Sequence, residues 1–137
     1  MSIEFRGLGE VLEMLERPVD AQIVKKALNK ACLLVERRAR QLAPKGNGEL
    51  RRSITHKVEN NEGIVFTPLE YAPYVEYGTG IFAEDGGRTD VPWNYQDEEG
   101  NWHSTSGQHP SPYMRPALDQ TREDIIRVLK EGILNND

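Results

Sequence analysis

The sequence of 137 residues is poor in the side chains that bind metals or form covalent bonds. It has one cysteine, Cys32, and three histidines. A single thiol excludes a disulfide within the chain and a zinc site built from the thiolates of one copy. Two leucines follow Cys32, so we expect it to be a small core residue. Since His56, His103 and His109 do not follow the spacing of a metal-binding motif, we expect no metal and no cofactor.

Long apolar runs are also missing. None approaches the roughly 20 residues that a membrane-spanning helix needs. Residues 1–5 lack the basic flank and apolar stretch of a signal peptide, so we expect a cytoplasmic protein with no membrane partner. Hydrophobic residues make up 37% of the sequence, which is below the roughly 45–50% typical of globular domains. This share predicts a modest core and some apolar surface that a partner covers.

The sequence contains no recognisable catalytic pattern. Ser104, Ser106 and His109 lie close together, but nothing resembles a nucleophile elbow or a base oriented by a third group. The glycines of 78–80 and of 86–87 lack the lysine and the strand-to-helix setting of a phosphate-binding loop. We interpret them as turn glycines. The protein is therefore predicted not to be an enzyme and to take no small-molecule substrate.

Charge is distributed unevenly along the chain, whose net charge is −5. Residues 1–57 hold 12 basic and 7 acidic side chains, whereas residues 58–137 hold 5 and 15. A basic cluster lies within 37–52: Arg37, Arg38, Arg40, Lys45, Arg51 and Arg52. Such a cluster can bind phosphate, or an acidic patch of the same chain or of a neighbouring copy. Because the chain is acidic overall, we consider nucleic acid the less favoured partner. Head-to-tail contact between copies, which joins two different surfaces, is the favoured interpretation.

Apolar spacing predicts helices at about 7–17, 20–42 and 116–134. Asp20 suits the N-cap of the second helix, because its carboxylate can accept a hydrogen bond from a free backbone N–H. That helix would be a rod of roughly 33 Å and the spine of the fold. Pro116 suits the first turn of the third helix, where its missing N–H is not needed.

The region of about 52–110 is predicted to be mainly β structure. Residues 53–58 alternate in polarity, and 64–67 form the returning strand after a turn at 60–63 whose residues tolerate positive φ. Further on, 92–96 and 101–105 flank an acidic turn, a pattern typical of a β-hairpin with aromatic cross-strand pairs. We therefore predict one α+β domain, 1–137. The long helix of the N-terminal half and the C-terminal helix would pack on a small, mainly antiparallel sheet with a protruding hairpin loop.

Aromatic residues are concentrated in two short segments. Tyr71, Tyr74 and Tyr77 lie within seven residues, and the two tryptophans, Trp93 and Trp102, lie in the predicted hairpin. Tyrosines can stack on nucleic-acid bases, but such clusters are more often packing or interface anchors. A two-stranded hairpin is marginal by itself. We therefore expect the tryptophans to pack on the rest of the domain or on a neighbour.

Four segments carry a family resemblance through their order and spacing. They are 43–44 with 48–54 (Ala-Pro, then Gly-Glu-Leu-Arg-Arg-Ser-Ile), 71–79 (Tyr-Ala-Pro-Tyr-Val-Glu-Tyr-Gly-Thr), 102–108 (Trp-His to Gly-Gln) and 112–118 (Pro-Tyr-Met-Arg-Pro-Ala-Leu). Together they resemble the minor tail component family of lambdoid and related siphophages, whose members are also described as tail-completion or head–tail joining proteins.

The resemblance implies a non-enzymatic structural virion protein of a tailed phage or prophage. Such a protein would form part of the head–tail junction or tail-completion ring by head-to-tail self-assembly into a homo-oligomer, for example a hexamer. It would dock to tail tube and head–tail connector proteins, and genomic DNA would pass through the ring without sequence readout. It would reside in the virion and, before assembly, in the cytoplasm of the bacterial host.

These observations predict an interface with other subunits or with tail proteins. Its residues are Lys45, Arg51, Arg52, Tyr71, Tyr74, Tyr77, Trp93, Trp102, Asp97, Glu98 and Glu99. The arginines of this set are expected to pair with its acidic residues on an adjacent copy. Two alternatives stay open: a small nucleic-acid-binding module that uses the basic 37–52 cluster and the tyrosines, and a metal-dependent hydrolase built from His103, His109 and nearby carboxylates.

Overall fold

A computed structural model describes residues 1–5, 19–46, 48–84, 86 and 90–134, except the side chains at positions 3 and 5. The predicted helix at 7–17 lies outside the described residues. The chain divides into two compact units. We call Met1–Pro68 with Tyr113–Asp137 the helical unit, and Leu69–Pro112 the hairpin unit. The single-domain boundary of 1–137 stays a prediction.

Helices and strands are mixed along the described chain, and the fold class is the predicted α+β. In chain order they are β1 (Ser2–Phe5), α1 (Ala21–Leu42), α2 (Glu49–Ser53), β2 (Thr55–Glu59), β3 (Glu62–Phe66), α3 (Ala72–Tyr77), a 3₁₀ turn (Gly80–Phe82), β4 (Trp93–Gln96), β5 (Trp102–Thr105) and α4 (Met114–Leu134).

The sheet of the helical unit has three antiparallel strands in the order β1-β3-β2. Val65 in the central strand is aligned with Ile3 of β1 and with His56 of β2. Asn60 and Asn61, with φ of 50° and 60°, connect β2 to β3. Asparagine tolerates this left-handed backbone better than other non-glycine residues. The turn therefore lies where the sequence predicted it.

Helix α1 is the predicted spine of the helical unit. The Asp20 carboxylate accepts a hydrogen bond of 2.7 Å from the backbone N–H of Gln22, as expected of the N-cap. One face of α1 is buried against α4 and the sheet. Cys32 lies on this face and is fully buried, and burial raises its thiol pKa to about 11. The expectation that Cys32 is a core residue is confirmed.

Helix α4 supplies the other side of this core. It begins at Met114, two residues before the predicted start, and Pro116 occupies its first turn. Leu129 and Ile133 are almost completely buried. At Gly132 an added Cβ would lie 3.0 Å from the Cβ of Ala27 in α1. Small side chains at this point therefore let the two helices approach closely.

The expected strand from position 53 begins later than predicted. Ser53 ends α2, and β2 starts at Thr55. The Ser53 hydroxyl donates a 2.6 Å hydrogen bond to the Leu50 carbonyl one turn back, a local bond that competes with strand pairing. The region of about 52–110 therefore contains short helices and a 3₁₀ turn as well as strands.

Candidate functional site

The three clustered tyrosines form a row on one side of α3. This helix buries Ala72 and Glu76, while Tyr71, Tyr74 and Tyr77 are 39%, 58% and 39% exposed. Residues three apart lie on the same face of a helix. The spacing of the tyrosines therefore places three large rings at the surface of the hairpin unit.

Helix α3 has only six residues, too few to be stable in isolation. Pro73 lies in its first turn, where its fixed φ is compatible with the helix. The carbonyl of Tyr77 accepts a hydrogen bond from the N–H of Glu84 (2.9 Å), and the carbonyl of Val75 accepts one from Ser111 (2.8 Å). Backbone from two other parts of the hairpin unit thus holds the tyrosine row in place.

The tyrosines line an open groove of about 1240 Å³ within the hairpin unit. Trp93 and Tyr95 of β4 line the same groove. The other described lining residues are Pro73, Val75, Gly78, Thr79, Gly80, Ala83, Glu84, Thr105 and Gln108. We call this surface the aromatic groove.

The aromatic groove depends on backbone pairing between 79–81 and 106–108. The N–H of Thr79 donates to the carbonyl of Gln108 (2.9 Å), and the N–H of Ile81 donates to the carbonyl of Ser106 (3.1 Å). The Thr79 hydroxyl also accepts from the N–H of Gln108 at 2.9 Å. These bonds join segments almost 30 positions apart in the sequence.

The pairing requires glycine at two positions that face each other. Gly80 has φ +63°, and a Cβ there would overlap the carbonyl oxygen of Ser106. Gly107 has φ +129°, and a Cβ there would overlap the carbonyl oxygen of Thr79. The positive φ of Gly80 agrees with the turn glycines expected from the sequence. The close approach of the two backbones was not predicted.

The predicted hairpin is present as β4 and β5. Tyr95 is aligned with His103, and their rings stack with centroids 5.3 Å apart. Trp93 and Trp102 lie opposite non-aromatic residues, so one aromatic pair crosses the hairpin. Trp93 is half-buried and lines the aromatic groove, whereas Trp102 is 70% exposed.

Asp97 organises the tip of the hairpin. One carboxylate oxygen accepts hydrogen bonds from the backbone N–H groups of Glu99 (3.0 Å) and Asn101 (2.8 Å). The other lies 2.7 Å from Nε2 of His103. The hydrogen bond from His103 and, after it, the backbone donors lower the pKa of Asp97 below its ordinary value of 3.8. Asp97 is therefore a structural residue of the turn.

This arrangement predicts an acid-sensitive hairpin tip. Because the folded-state pKa of Asp97 is lowered, its ionised carboxylate stabilises the folded hairpin above pH 3.8, and that contribution is lost as the pH falls through the lowered pKa. In wild type, the amide resonances of Glu99 and Asn101 should move together in an NMR titration from about pH 5 to about pH 2. Asp97→Asn should abolish this shared transition.

Glu98→Gln is the matched control, since it removes an adjacent exposed carboxylate from the same turn. The shared transition should persist in this variant. A transition that is the same in wild type and in Asp97→Asn would contradict the assignment to Asp97.

Part of the basic cluster has structural roles in the helical unit. Arg40 donates two hydrogen bonds to the carbonyl of Ile54 (2.6 and 3.1 Å), and Arg51 donates one to the carbonyl of Ala43 (2.9 Å). Arg38 donates to a glutamine of α4 at 2.6 Å. These three side chains connect α1, α2 and α4. This weakens the nucleic-acid alternative, because the guanidinium groups that would bind phosphate already donate hydrogen bonds within the chain.

The predicted interface residues fall into three groups by the elements that carry them. The tyrosines and Trp93 meet in the aromatic groove. Asp97, Glu98 and Glu99 form the hairpin tip, with Trp102 on the strand that follows. Lys45, Arg51 and Arg52 belong to the segment that joins α1 and α2 and to α2 itself. The sequence did not single out Tyr95 of the aromatic groove, although the alternation of the predicted strand places it on the same face as Trp93.

A family comparison identifies the kind of protein. The model of the family described as "Bacteriophage HK97-gp10, putative tail-component" matches residues 7–78. The chain belongs to this family of phage tail components. No curated protein and no solved structure is similar enough to the chain to match. The resemblance to phage tail components is thereby confirmed, and the matched region extends through α3 with its three tyrosines.

The histidines of this tail component make separate contacts. Nδ1 of His56 lies 3.1 Å from the carboxylate of Glu36, which is buried. His103 contacts Asp97, and the ring of His109 lies on Phe82 with centroids 3.9 Å apart. Among the residues that the structure describes, no group of three or more His, Cys, Asp or Glu side chains could hold a metal ion.

A helix that crosses a bilayer must be both long and apolar. Within the described portion of the chain, none of the helices combines the length and the apolar character required to span a membrane.

Proposed function

We propose that this phage tail component is a structural virion protein of the head–tail junction or tail-completion ring. Copies of the chain would assemble head to tail into a homo-oligomeric ring, for example a hexamer, and dock to tail tube and connector proteins. Genomic DNA would pass through this ring without sequence readout. The protein would be free in the host cytoplasm before it joins the virion, and it would carry out no catalysis.

The aromatic groove is the observation that carries this proposal. Three tyrosine rings are between 39% and 58% exposed along one row, and Trp93 and Tyr95 extend the apolar surface. Tyrosine and tryptophan contribute a large contact area with few rotatable bonds, which makes them frequent anchors of protein interfaces. Glu84 is the one charged residue in the described lining. A surface of this kind favours a protein partner over a small charged substrate.

The proposed occupant of the aromatic groove is a tail protein of the same virion. The family assignment supports a tail partner, and the matched region ends at Gly78, immediately after the tyrosine row. A partner side chain or loop that filled the groove would remove several ring faces from water at once. Burial of this kind is the main driving force of most protein association.

Tyr74 provides the most direct test, because it is the most exposed ring of the row. The gene would be disrupted in the phage or prophage that encodes this chain, and variants would be supplied in trans. Loss of an interface anchor typically weakens binding by about 2 kcal/mol, or about thirtyfold. Tyr74→Ser should therefore reduce the yield of complete tailed particles, counted by electron microscopy, while the free protein keeps its helical circular dichroism.

Ile81→Ser is the matched control for this experiment. Ile81 is 54% exposed, belongs to the same unit and does not line the aromatic groove. Its replacement should leave the particle yield close to wild type. Normal yields with both variants would reject the groove as the docking surface.

A further inference from the structure

The two units differ strongly in charge. Residues 69–112, which form the hairpin unit, contain eight acidic side chains and one arginine, a net charge of −7. The remaining residues, those of the helical unit, have a net charge of +2. Each copy thus carries an acidic unit and a basic unit, so that unlike units of two copies attract each other.

A group of exposed lysines lies on α1 of the helical unit. Lys25, Lys26 and Lys30 are exposed and line a shallow groove of about 490 Å³. The other described lining residues are Gln22, Asn29, Leu33 and His56. The described lining includes three lysines and no carboxylate. We call this surface the lysine face.

The lysine face differs from the basic 37–52 cluster in how its charges are used. In that cluster, Arg40 and Arg51 donate hydrogen bonds to backbone carbonyls of the helical unit. The three lysines of α1, by contrast, are exposed and line a shallow groove. Lysine carries its charge on a long flexible stem and can adapt to carboxylates that approach from outside.

The hairpin tip carries the charge opposite to that of the lysine face. Glu98 and Glu99 lie at the end of a two-stranded ribbon and are exposed. Asp97 holds the backbone of the turn through two N–H groups, and Gly100 completes it with φ +87°. The tip therefore presents its carboxylates on a fixed turn, which lowers the entropy cost of binding.

We propose that the lysine face of one copy binds the hairpin tip of a second copy. This inference rests on the proposed self-assembly and names the two surfaces that meet. The contact joins different surfaces, so a pair of copies keeps one unused lysine face on one copy and one unused tip on the other. A contact of this heterologous kind adds further copies and gives a closed ring when the rotation between neighbouring copies closes on itself. A second copy is favoured over nucleic acid, because the acidic partner surface is encoded in the same chain, whose net charge of −5 opposes binding to a polyanion.

Zero-length crosslinking tests this contact directly. A carbodiimide joins a lysine amine to a carboxylate only when the two groups touch. Equal amounts of ¹⁵N-labelled and unlabelled chain, mixed at high concentration and low salt, should give crosslinked peptides that pair the lysines of α1 with Glu98 or Glu99 and contain one labelled and one unlabelled partner. The yield should fall when salt is raised to about 1 M, which shortens the Debye length to about 3 Å.

Charge reversal supplies the second arm. Lys25→Glu, Lys26→Glu and Lys30→Glu together should reduce the intermolecular crosslinked fraction, counted over all lysine–carboxylate pairs, about tenfold, because three positive charges that attract the tip become negative charges that repel it. A mixture of this variant with Glu98→Lys/Glu99→Lys should recover crosslinks between the two chains. Arg122→Glu, Arg127→Glu and Lys130→Glu on α4 form the matched control, since these residues are exposed and change the net charge equally.

The outcomes separate this inference from the proposed function. Absence of mixed-label crosslinks at these sites, or an equal loss with the α4 control, would overturn the lysine-face contact. Crosslinks from the tip to Lys45 in place of the α1 lysines would overturn it as well. None of these results tests the virion role, which is tested separately by the particle yield of Tyr74→Ser. Mixed-label crosslinks that are restored by the reversed tip would establish the contact.

Discussion

Replacing Gly80 with alanine is expected to destabilise the hairpin unit by about 2–3 kcal/mol or more, since a non-glycine residue at this φ already costs on the order of 1–3 kcal/mol. A Cβ at Gly80 would overlap the carbonyl oxygen of Ser106. The hydrogen bond from Ile81 to the same carbonyl would have to break or lengthen. The two backbones that support the aromatic groove would then separate.

Tryptophan fluorescence can follow this change selectively, because Trp93 and Trp102 are the two tryptophans of the chain and both belong to the hairpin unit. The urea midpoint of the tryptophan signal should fall in Gly80→Ala. Among the helices that the structure describes, α1 and α4 of the helical unit are the longest, so the midpoint of the helical circular dichroism should move less.

Gly100→Ala is the matched control for Gly80→Ala. Gly100 has φ +87°, and the nearest atom to an added Cβ is a side-chain nitrogen of Gln96 at 3.5 Å. This variant keeps the cost of an unfavourable φ but creates no backbone overlap. Equal losses of stability in the two variants would show that the close approach of Gly80 to Ser106 is not what makes alanine costly at position 80.

Leu129→Ala should reduce the free energy of unfolding of the helical unit by about 2–5 kcal/mol, the usual cost of truncating a buried leucine. Leu129 is 1% exposed, and it lies on the face of α4 that packs against α1. The facing helix contributes small residues such as Ala27 and Ala31, whose short side chains cannot move in to fill the space. Chemical denaturation followed by circular dichroism measures the loss.

Ile126→Ala on the same helix is the control, because Ile126 is 44% exposed. It should change the free energy of unfolding by less than about 0.5 kcal/mol, as surface substitutions usually do. If the two substitutions had similar effects, the packing of α1 on α4 would not be the core of the helical unit.

Features that depend on neighbouring residues could be read from the sequence. The periodicity of α1 and the carboxylate of Asp20 predicted that helix and its cap, and Asn60 and Asn61 marked the turn between β2 and β3. The acidic turn flanked by aromatic segments predicted the hairpin of β4 and β5. In each case the determining interactions, such as caps and turn conformations, join residues within a few positions of each other.

Contacts between residues far apart in the chain were not predicted from the sequence. The strand β1 was not predicted, because Ser2–Phe5 is short and becomes a strand only by pairing with Phe66 and its neighbours. The roles of Arg40 and Arg51 were also missed, since their acceptors are carbonyls brought close by the fold. A charged side chain that caps the backbone has the same sequence signature as one that binds a partner.

The candidate site shows the same division. The sequence shows which side chains are available at the site: three tyrosines three apart, the tryptophans of the hairpin, and an acidic turn with Asp97 at its start. The folded chain places the tyrosines and Trp93 along one groove and leaves Trp102 outside it. This arrangement depends on the pairing of 79–81 with 106–108. Backbone hydrogen bonds between distant segments depend on the path of the whole chain, and their local sign in the sequence is a glycine where the two backbones approach.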